Sequence, residues 1–280
     1  ALKDFQPDII QVEELERLWT TMFTVPGLSY AKRHNIPCIG SYRTNFIDYI
    51  EDYMPWWIEK LGKFILLLLT RWIYNQCSIT LVGSHFIEQR LKLWGIDNVN
   101  YAPVIGPSSV EHPETMKCSH FFQDYYGLSG IDNTVKILFL GRLFPDKNWQ
   151  FNCKYLPKLI EKLGVEKFTI IIAGRGELED SIRSSLLNQN LFPVMLGEVP
   201  HDKVSRLLAN VDIHVTSSLK ETFGRTVQES LYVGTPVLAP DCDWTRNLIK
   251  PNFNGVLYQQ ENGEDFVEQL TKLINQPKLL

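Results

Sequence analysis

Two carboxylates and two cations carry the chemical interest of this chain. Glu221 and Glu229 lie in Ser218–Tyr232, SLKETFGRTVQESLY, with seven residues between them. Arg142 and Lys147 lie in a second stretch, Gly141–Asn148, GRLFPDKN. A guanidinium and an ammonium on one loop neutralise a diphosphate without a metal. Between the two glutamates, Gly224 permits a positive φ or a close backbone approach. The residues after it read as a helix start, whose unpaired N–H groups and positive dipole end favour an anion. A strand, a glycine turn and a helix start thus describe an anion site flanked by carboxylates.

Plainer readings stand beside this one. Thr226-x-x-Glu229 fits a capping box, with Thr226 as N-cap and Glu229 as N3. Glu221 then becomes a solvated loop charge. Arg142 and Lys147 read plainly as solvated charge, but cations near a helix N-terminus oppose the dipole. The rest of the chain has to decide.

The elements that would hold these residues alternate. In the first half the pattern gives strands at Pro7–Val12, Ile36–Tyr42, Ser78–Gly83 and Val99–Val104. It gives helices at Met22–Asn35, Phe46–Tyr53 and Pro55–Gln76, and one capped by Ser84 that runs through Trp94. Residues 106–134 mix Pro, Ser, His and Gly without a period and read as an inter-domain connection. From Val135 the alternation restarts. Strands are expected at Lys136–Leu140, Phe168–Ala173, Val194–Leu196, Asp212–Thr216, Pro236–Ala239 and Gly255–Tyr258. Helices are expected at Asn148–Leu163, Glu177–Gln189, Asp202–Ala209, from Thr226 onward, and at Phe266–Asn275. The fold class is α/β, with parallel sheets in two doubly wound, Rossmann-like domains, 1–105 and 135–280. Ligands of such sheets sit at the carboxyl ends of the strands. Those ends carry Gly141-Arg142, Gly174-Arg175-Gly176, Gly197-Glu198 and Glu221–Gly224.

Composition removes several classes. The chain has 280 residues, net charge −4 and 44% hydrophobic residues. No basic excess points to nucleic acid, so a nucleic-acid partner is not expected. The cysteines Cys38, Cys77, Cys118, Cys153 and Cys242 are scattered, without the spacing of a zinc site or a disulfide framework. A reducing, cytoplasmic setting is expected. The run Phe64–Leu69 is too short to span a bilayer. Trp57, Leu61, Phe64, Leu68 and Trp72 follow helical spacing, which predicts a buried helix face. Trp56 and Trp57 beside them leave open a peripheral contact with the cytosolic face of a membrane.

The second half resembles the C-terminal domain of retaining GT-B glycosyltransferases of family 4. The matching stretches are GRLFPDKN, IAGRGELED (Ile172–Asp180), LGEVPHDKVSRLLANVDIHVTSS (Leu196–Ser218), ETFGRTVQES (Glu221–Ser230) and GTPVLAP (Gly234–Pro240). The first half, with QPDIIQV and SYRTNFIDYIEDY, is similar to the acceptor-side domain of sulfoquinovosyl- and mannosyl-transferring lipid glycosyltransferases. The resemblance implies a GT-B fold with two domains facing a cleft. Its first strand and glycine-rich loop would precede residue 1, leaving the N-terminal domain incomplete.

The resemblance also implies roles. Arg142 and Lys147 would hold the diphosphate of a UDP- or GDP-sugar, and Glu229 the ribose hydroxyls. Glu198 and Val199 would lie beside the base. Glu221 would contact the sugar, and the backbone N–H groups of Phe223, Gly224, Arg225, Thr226 and Val227 would serve sugar and phosphates. Gly141, Gly174 and Gly176 would shape the glycine loops. The donor is a substrate, and neither a cofactor nor a metal is implied. The acceptor would be a lipid or glycan. Arg43 stands where the family usually has His in S-Y-H-T, at a position that contacts the transferred sugar. Asp243-Trp244 replaces a usual Gly-Gly pair, Asn247 an acidic residue and Asp146 a commoner Glu. These departures keep a second class of function open: an inactive relative used as a binding or scaffold subunit. A transferase with a soluble sugar acceptor is a third reading.

Overall fold

The computed structural model describes residues 5–102, 113–164 and 166–275. The chain divides into two units, Ala1–Ile105 with Glu221–Phe223, and Gly106–Lys220 with Gly224–Leu280. Residues 103–112, where the sequence places the end of one strand and the start of the connection, lie outside the described residues.

The first unit is built on a parallel sheet in the order β1-β2-β3-β4. Its strands are β1 (Ile10–Glu13), β2 (Cys38–Tyr42), β3 (Ile79–Val82) and β4 (Val99–Tyr101). Register is fixed by apolar residues that face inward, with Ile10 opposite Cys38 and Tyr42 opposite Val82, all four buried. A separate helix that was not expected, Leu15–Met22, precedes the one expected at Met22–Asn35, which is Pro26–His34. Phe23 takes a left-handed φ of 51° after the first, and Pro26 opens the second at a position where its missing N–H costs nothing. Ser84 caps helix His85–Leu93 as expected, its Oγ accepting the Ile87 N–H at 3.3 Å.

Helix Trp56–Tyr74 corrects a second expectation. Its buried side is Thr70, Ile73 and Tyr74. The stripe expected to be buried faces outward: Trp57 is 69% exposed, Leu61 60%, Phe64 57%, Leu68 49% and Trp72 56%. Both sides of this helix are apolar, so helical spacing alone does not select the inner one.

The second unit holds a six-stranded parallel sheet in the order β10-β9-β8-β5-β6-β7. The strands are β5 (Val135–Leu140), β6 (Phe168–Ala173), β7 (Val194–Gly197), β8 (Ile213–Val215), β9 (Val237–Pro240) and β10 (Gly255–Tyr258). Alternate residues feed two cores. Ile137, Phe139, Ile170 and Ile172 enter one layer, and Leu138, Ile171 and Ala173 the other. Met116, Phe121, Phe122 and Ile131, from the non-periodic stretch before β5, are buried in that second layer. The helix expected at Asn148–Leu163 is broken into Trp149–Tyr155 and Lys158–Leu163, because Pro157 has no N–H to continue the ladder. A short helix Asp243–Arg246, which the spacing did not announce, follows β9.

Candidate functional site

The carboxyl ends of β5, β6 and β7 are tied into one rim. Gly141 donates its N–H to Ala173 O at 3.0 Å, Leu143 to Arg175 O at 2.9 Å and Gly174 to Gly197 O at 2.7 Å. The backbones cross so closely that a Cβ at Gly174 would lie 1.9 Å from Gly141 O. One at Gly176 would lie 2.2 Å from Leu143 O. The loop crossing alone therefore requires glycine at both positions. Gly141 differs: its φ is 150°, and no atom lies within 4 Å of where its Cβ would stand. Its open side faces a small crevice shared with Arg142, Lys147, Trp149, Thr216 and Ser217.

Arg142 and Lys147 converge on one carboxylate. Arg142 Nη2 is 3.3 Å and Lys147 Nζ 3.1 Å from Asp146 Oδ2. The Asp146 side chain is 8% exposed and Lys147 19%, while Arg142 is 65% exposed. The loop is shaped by Pro145, which starts a 3₁₀ turn, and by Asn148, which ends it with a left-handed φ of 56°. The chemistry is an anion cradle whose two cations are held ready on a partly buried acid. Below it Ser217 Oγ donates to Asn152 Oδ1 at 2.5 Å, and both residues are buried. The Trp149 indole N–H is buried at the same crevice without an acceptor among the described residues.

Gly224 opens helix Arg225–Tyr232 as a left-handed N-cap, φ 63°. The capping box is therefore not formed: Thr226 lies inside the helix, and no side chain caps it. Thr226 Oγ1 instead donates to His214 Nε2 at 3.3 Å, while His214 Nδ1–H donates to Leu138 O at 3.1 Å. Burial pushes His214 down to about 4, so it stays neutral in this network. Val227, one turn in, packs at 1% exposure. Glu229 is 4% exposed, and its carboxylate meets Arg225 Nε at 3.2 Å and His201 Nδ1 at 4.0 Å. Burial pushes the Glu229 carboxyl above the usual range, and Arg225 offsets only part of that rise.

Glu198 and Val199, just after β7, line a cavity of about 310 Å³ with Tyr125, Tyr126, Lys203 and Arg206. Arg206 Nη1 donates to Tyr125 Oη at 2.7 Å. That volume falls within the roughly 300–1,000 Å³ of small-molecule pockets.

The remaining candidates belong to the first unit. Arg43 follows β2 and pairs with Glu13 at 2.8 Å, both about half exposed. Asp48, on the helix that follows Arg43, is instead held through both oxygens by Arg90, at 2.6 and 2.5 Å. The Glu51 side chain lies outside the described residues. Glu221–Phe223 is counted with this unit. There Ser84 Oγ donates to Thr222 O at 2.9 Å, and the Phe223 ring covers Gly83.

Asp146, His201 and Trp244 were not singled out as site residues from the sequence. Asp146 lay inside the quoted loop and had a signal, a carboxylate between two cations. Trp244 was marked only as part of a departure from the family's Gly-Gly pair, and His201 had no signal, because it reaches the site from another strand–helix unit. Among the described residues no cluster of three or more His, Cys, Asp or Glu side chains could hold a metal ion.

Two parallel Rossmann-like sheets with these strand-end loops make a GT-B architecture. Solved structures agree on the fold. Anabaena Alr3699/HepE in complex with UDP and glucose superposes with a TM-score of 0.75 at 16% identity, over 99% of this chain and 71% of that one. Sucrose-phosphate synthase from Thermosynechococcus elongatus gives 0.77 at 14% identity, over 99% and 67%. Among curated proteins, the GDP-mannose-dependent alpha-mannosyltransferase of Mycolicibacterium smegmatis is 23% identical over 94% of this chain and 64% of its own length. The sulfoquinovosyl transferase SQD2 of Arabidopsis thaliana is 23% identical over 97% of this chain and 50% of its own. An uncharacterized glycosyltransferase of Methanocaldococcus jannaschii is 27% identical, with 51% of this chain covering 37% of it. The chain thus spans between about a third and two thirds of the length of these relatives. Residues 129–280 match the family described as Glycosyl transferases group 1, and the chain belongs to that family.

Proposed function

We propose that this chain transfers a hexose from a nucleotide-diphosphate sugar to an acceptor, with retention of configuration. The acceptor is a lipid or glycolipid, and the work takes place peripherally on the cytosolic face of a membrane. The observation that carries this reading is the convergence of Arg142 and Lys147 on Asp146 beside the open face of Gly141. An incoming diphosphate replaces one shared carboxylate with several anionic oxygens, so binding needs little rearrangement of the cations. Arg142 and Lys147 neutralise the leaving diphosphate in place of a divalent metal, and no cofactor takes part. Glu229 binds the ribose, Glu198 and Val199 flank the base, and backbone N–H groups from Phe223 to Val227 serve phosphates and sugar. Glu221 contacts the sugar, and Arg43 reads an anionic group on donor or acceptor. A diphosphate oxygen assists acceptor attack on the face it leaves, while the protein supplies orientation and charge stabilisation. The M. smegmatis and A. thaliana relatives, named for mannose and sulfoquinovose transfer, support sugar transfer, in the first from GDP-mannose.

The test is hydrolysis and transfer with a panel of UDP- and GDP-sugars and glycolipid acceptors. Turnover of one donor is expected. Nucleotide binding with no turnover on any acceptor would move the chain to the inactive, scaffolding class, and absence of nucleotide binding would end both readings.

A further inference from the structure

We infer that the outer face of helix Trp56–Tyr74 is a docking surface for an anionic lipid bilayer. This names the surface for the peripheral contact proposed above, and it does not depend on the donor chemistry. Trp56 is 85% exposed, and Trp57, Leu61, Phe64, Leu68 and Trp72 continue the stripe along the helix. A stripe this long exceeds the scattered apolar residues of an ordinary surface. The helix carries Lys60, Lys63 and Arg71 against a single acid, Glu59, which is tied to Lys63 at 2.7 Å. Lys60 and Arg71 are exposed, so the outer face is aromatic and aliphatic, and the helix's own cations outnumber its acid.

That combination suits a helix lying in the plane of the headgroups, its apolar side sunk to the acyl boundary and its cations at anionic phosphates. Tryptophan is favoured at that depth, where an apolar ring and a polar N–H are both accommodated. Among the described residues no helix is long and apolar enough to cross a membrane. An apolar cavity of about 400 Å³ opens beside the face, lined by Trp19, Met54, Gly62, Ile65, Leu66 and Leu69. Ile65 is 56% exposed and belongs to both face and cavity. A hydrocarbon surface is thereby continuous from the stripe into the protein. A second copy suits the face less well, since a two-fold contact would bring Lys60 and Arg71 against their own copies, and lysine is depleted from protein interfaces.

The experiment is co-sedimentation of the purified chain, without donor, with vesicles of phosphatidylcholine alone or mixed with phosphatidylglycerol. Binding to the phosphatidylglycerol vesicles is expected, with blue-shifted tryptophan emission and weakening as salt is raised. Replacing Leu61→Gln and Phe64→Gln together should weaken partitioning by at least about tenfold. Lys60→Glu should remove part of the preference for phosphatidylglycerol, and it serves alone if the double variant does not fold. The inference is overturned if the wild-type chain stays in the supernatant with phosphatidylglycerol vesicles. It is equally overturned if these variants bind as the wild type does, or if light scattering shows stripe-dependent dimers that ignore vesicles. Donor binding is measured separately, so loss of one reading leaves the other standing.

Discussion

Trp244 holds the turn that Gly224 opens. Its indole N–H donates to Ser218 O at 3.2 Å, and a Cβ on Gly224 would lie 2.5 Å from its Cζ3. The residue that departs from the family's usual Gly-Gly pair is thus a buried strut, 6% exposed, behind the helix start. Gly224→Ala meets both a positive φ and the Trp244 ring, and should cost about 1–3 kcal/mol. Chemical denaturation should show that loss, together with weaker nucleotide-diphosphate binding because the helix N–H groups shift. A variant of wild-type stability would show that the turn yields, and would remove Trp244 from this role.

Lys147→Ala should weaken nucleotide-diphosphate binding by about 10- to 150-fold, since a charge-assisted bond is worth roughly 1.5–3 kcal/mol. The nucleoside alone should bind nearly as before. Titration calorimetry with and without EDTA checks both parts: chelation should change nothing. EDTA-sensitive binding would replace the cation pair with a metal.

Glu229→Gln should mainly weaken donor affinity, because ribose hydroxyls are held alike in ground and transition states. The variant also strips charge from a carboxylate that Arg225 contacts at 3.2 Å. If Glu221 contacts the sugar as proposed, Glu221→Gln should mainly lower turnover, because charge at the sugar changes in the transition state. Steady-state kinetics on both variants decides it, and equal effects on kcat and KM in both would refute the division of labour.

Stability should depend on pH in opposite senses in the two units. Burial pushes Glu16 up to about 7 despite the Tyr74 hydroxyl it accepts at 2.6 Å. The folded state then holds a proton that the unfolded chain releases near the ordinary carboxyl value. The stabilising effect is complete below about pH 4.5 and lost as pH rises through about 7. His214, lowered to about 4, acts the other way: its stabilising effect is complete above about pH 6.5 and lost as pH falls toward 4. Each is worth on the order of 3 kcal/mol at full extent. Glu16→Gln keeps an acceptor for Tyr74 and should raise the melting temperature above pH 7, with the gain vanishing near pH 4.5. A gain independent of pH would show that Glu16 is not protonated in the fold.

Arg43→His tests the departure in the first unit. The Glu13 pair is half exposed, so its loss should change stability by less than about 1 kcal/mol. If Arg43 reads an anionic group, the variant should lose that donor or acceptor and gain neutral hexose transfer. Unchanged preference and turnover would leave Arg43 as surface charge.

Strand–helix alternation, strand-end glycines and the GRLFPDKN and ETFGRTVQES stretches were legible in the sequence because each is local. A buried parallel strand is a short apolar run, and a loop that approaches another backbone needs glycine at a set place. The same local logic misplaced what depends on distant partners. The capping box at Thr226–Glu229 fitted every local rule, but His214 from β8 takes the Thr226 hydroxyl, and the N-cap lies two residues earlier, at Gly224. Arg43 pairs with Glu13 on the neighbouring strand, while Asp48 on the next helix is held by Arg90 from farther along the chain. Trp57, Leu61, Phe64, Leu68 and Trp72 share a face by spacing alone. The face that turns inward carries Thr70, Ile73 and Tyr74, the Tyr74 hydroxyl donating to buried Glu16, and the stripe faces outward. Periodicity fixes which side chains travel together; only the packed neighbours fix where they point.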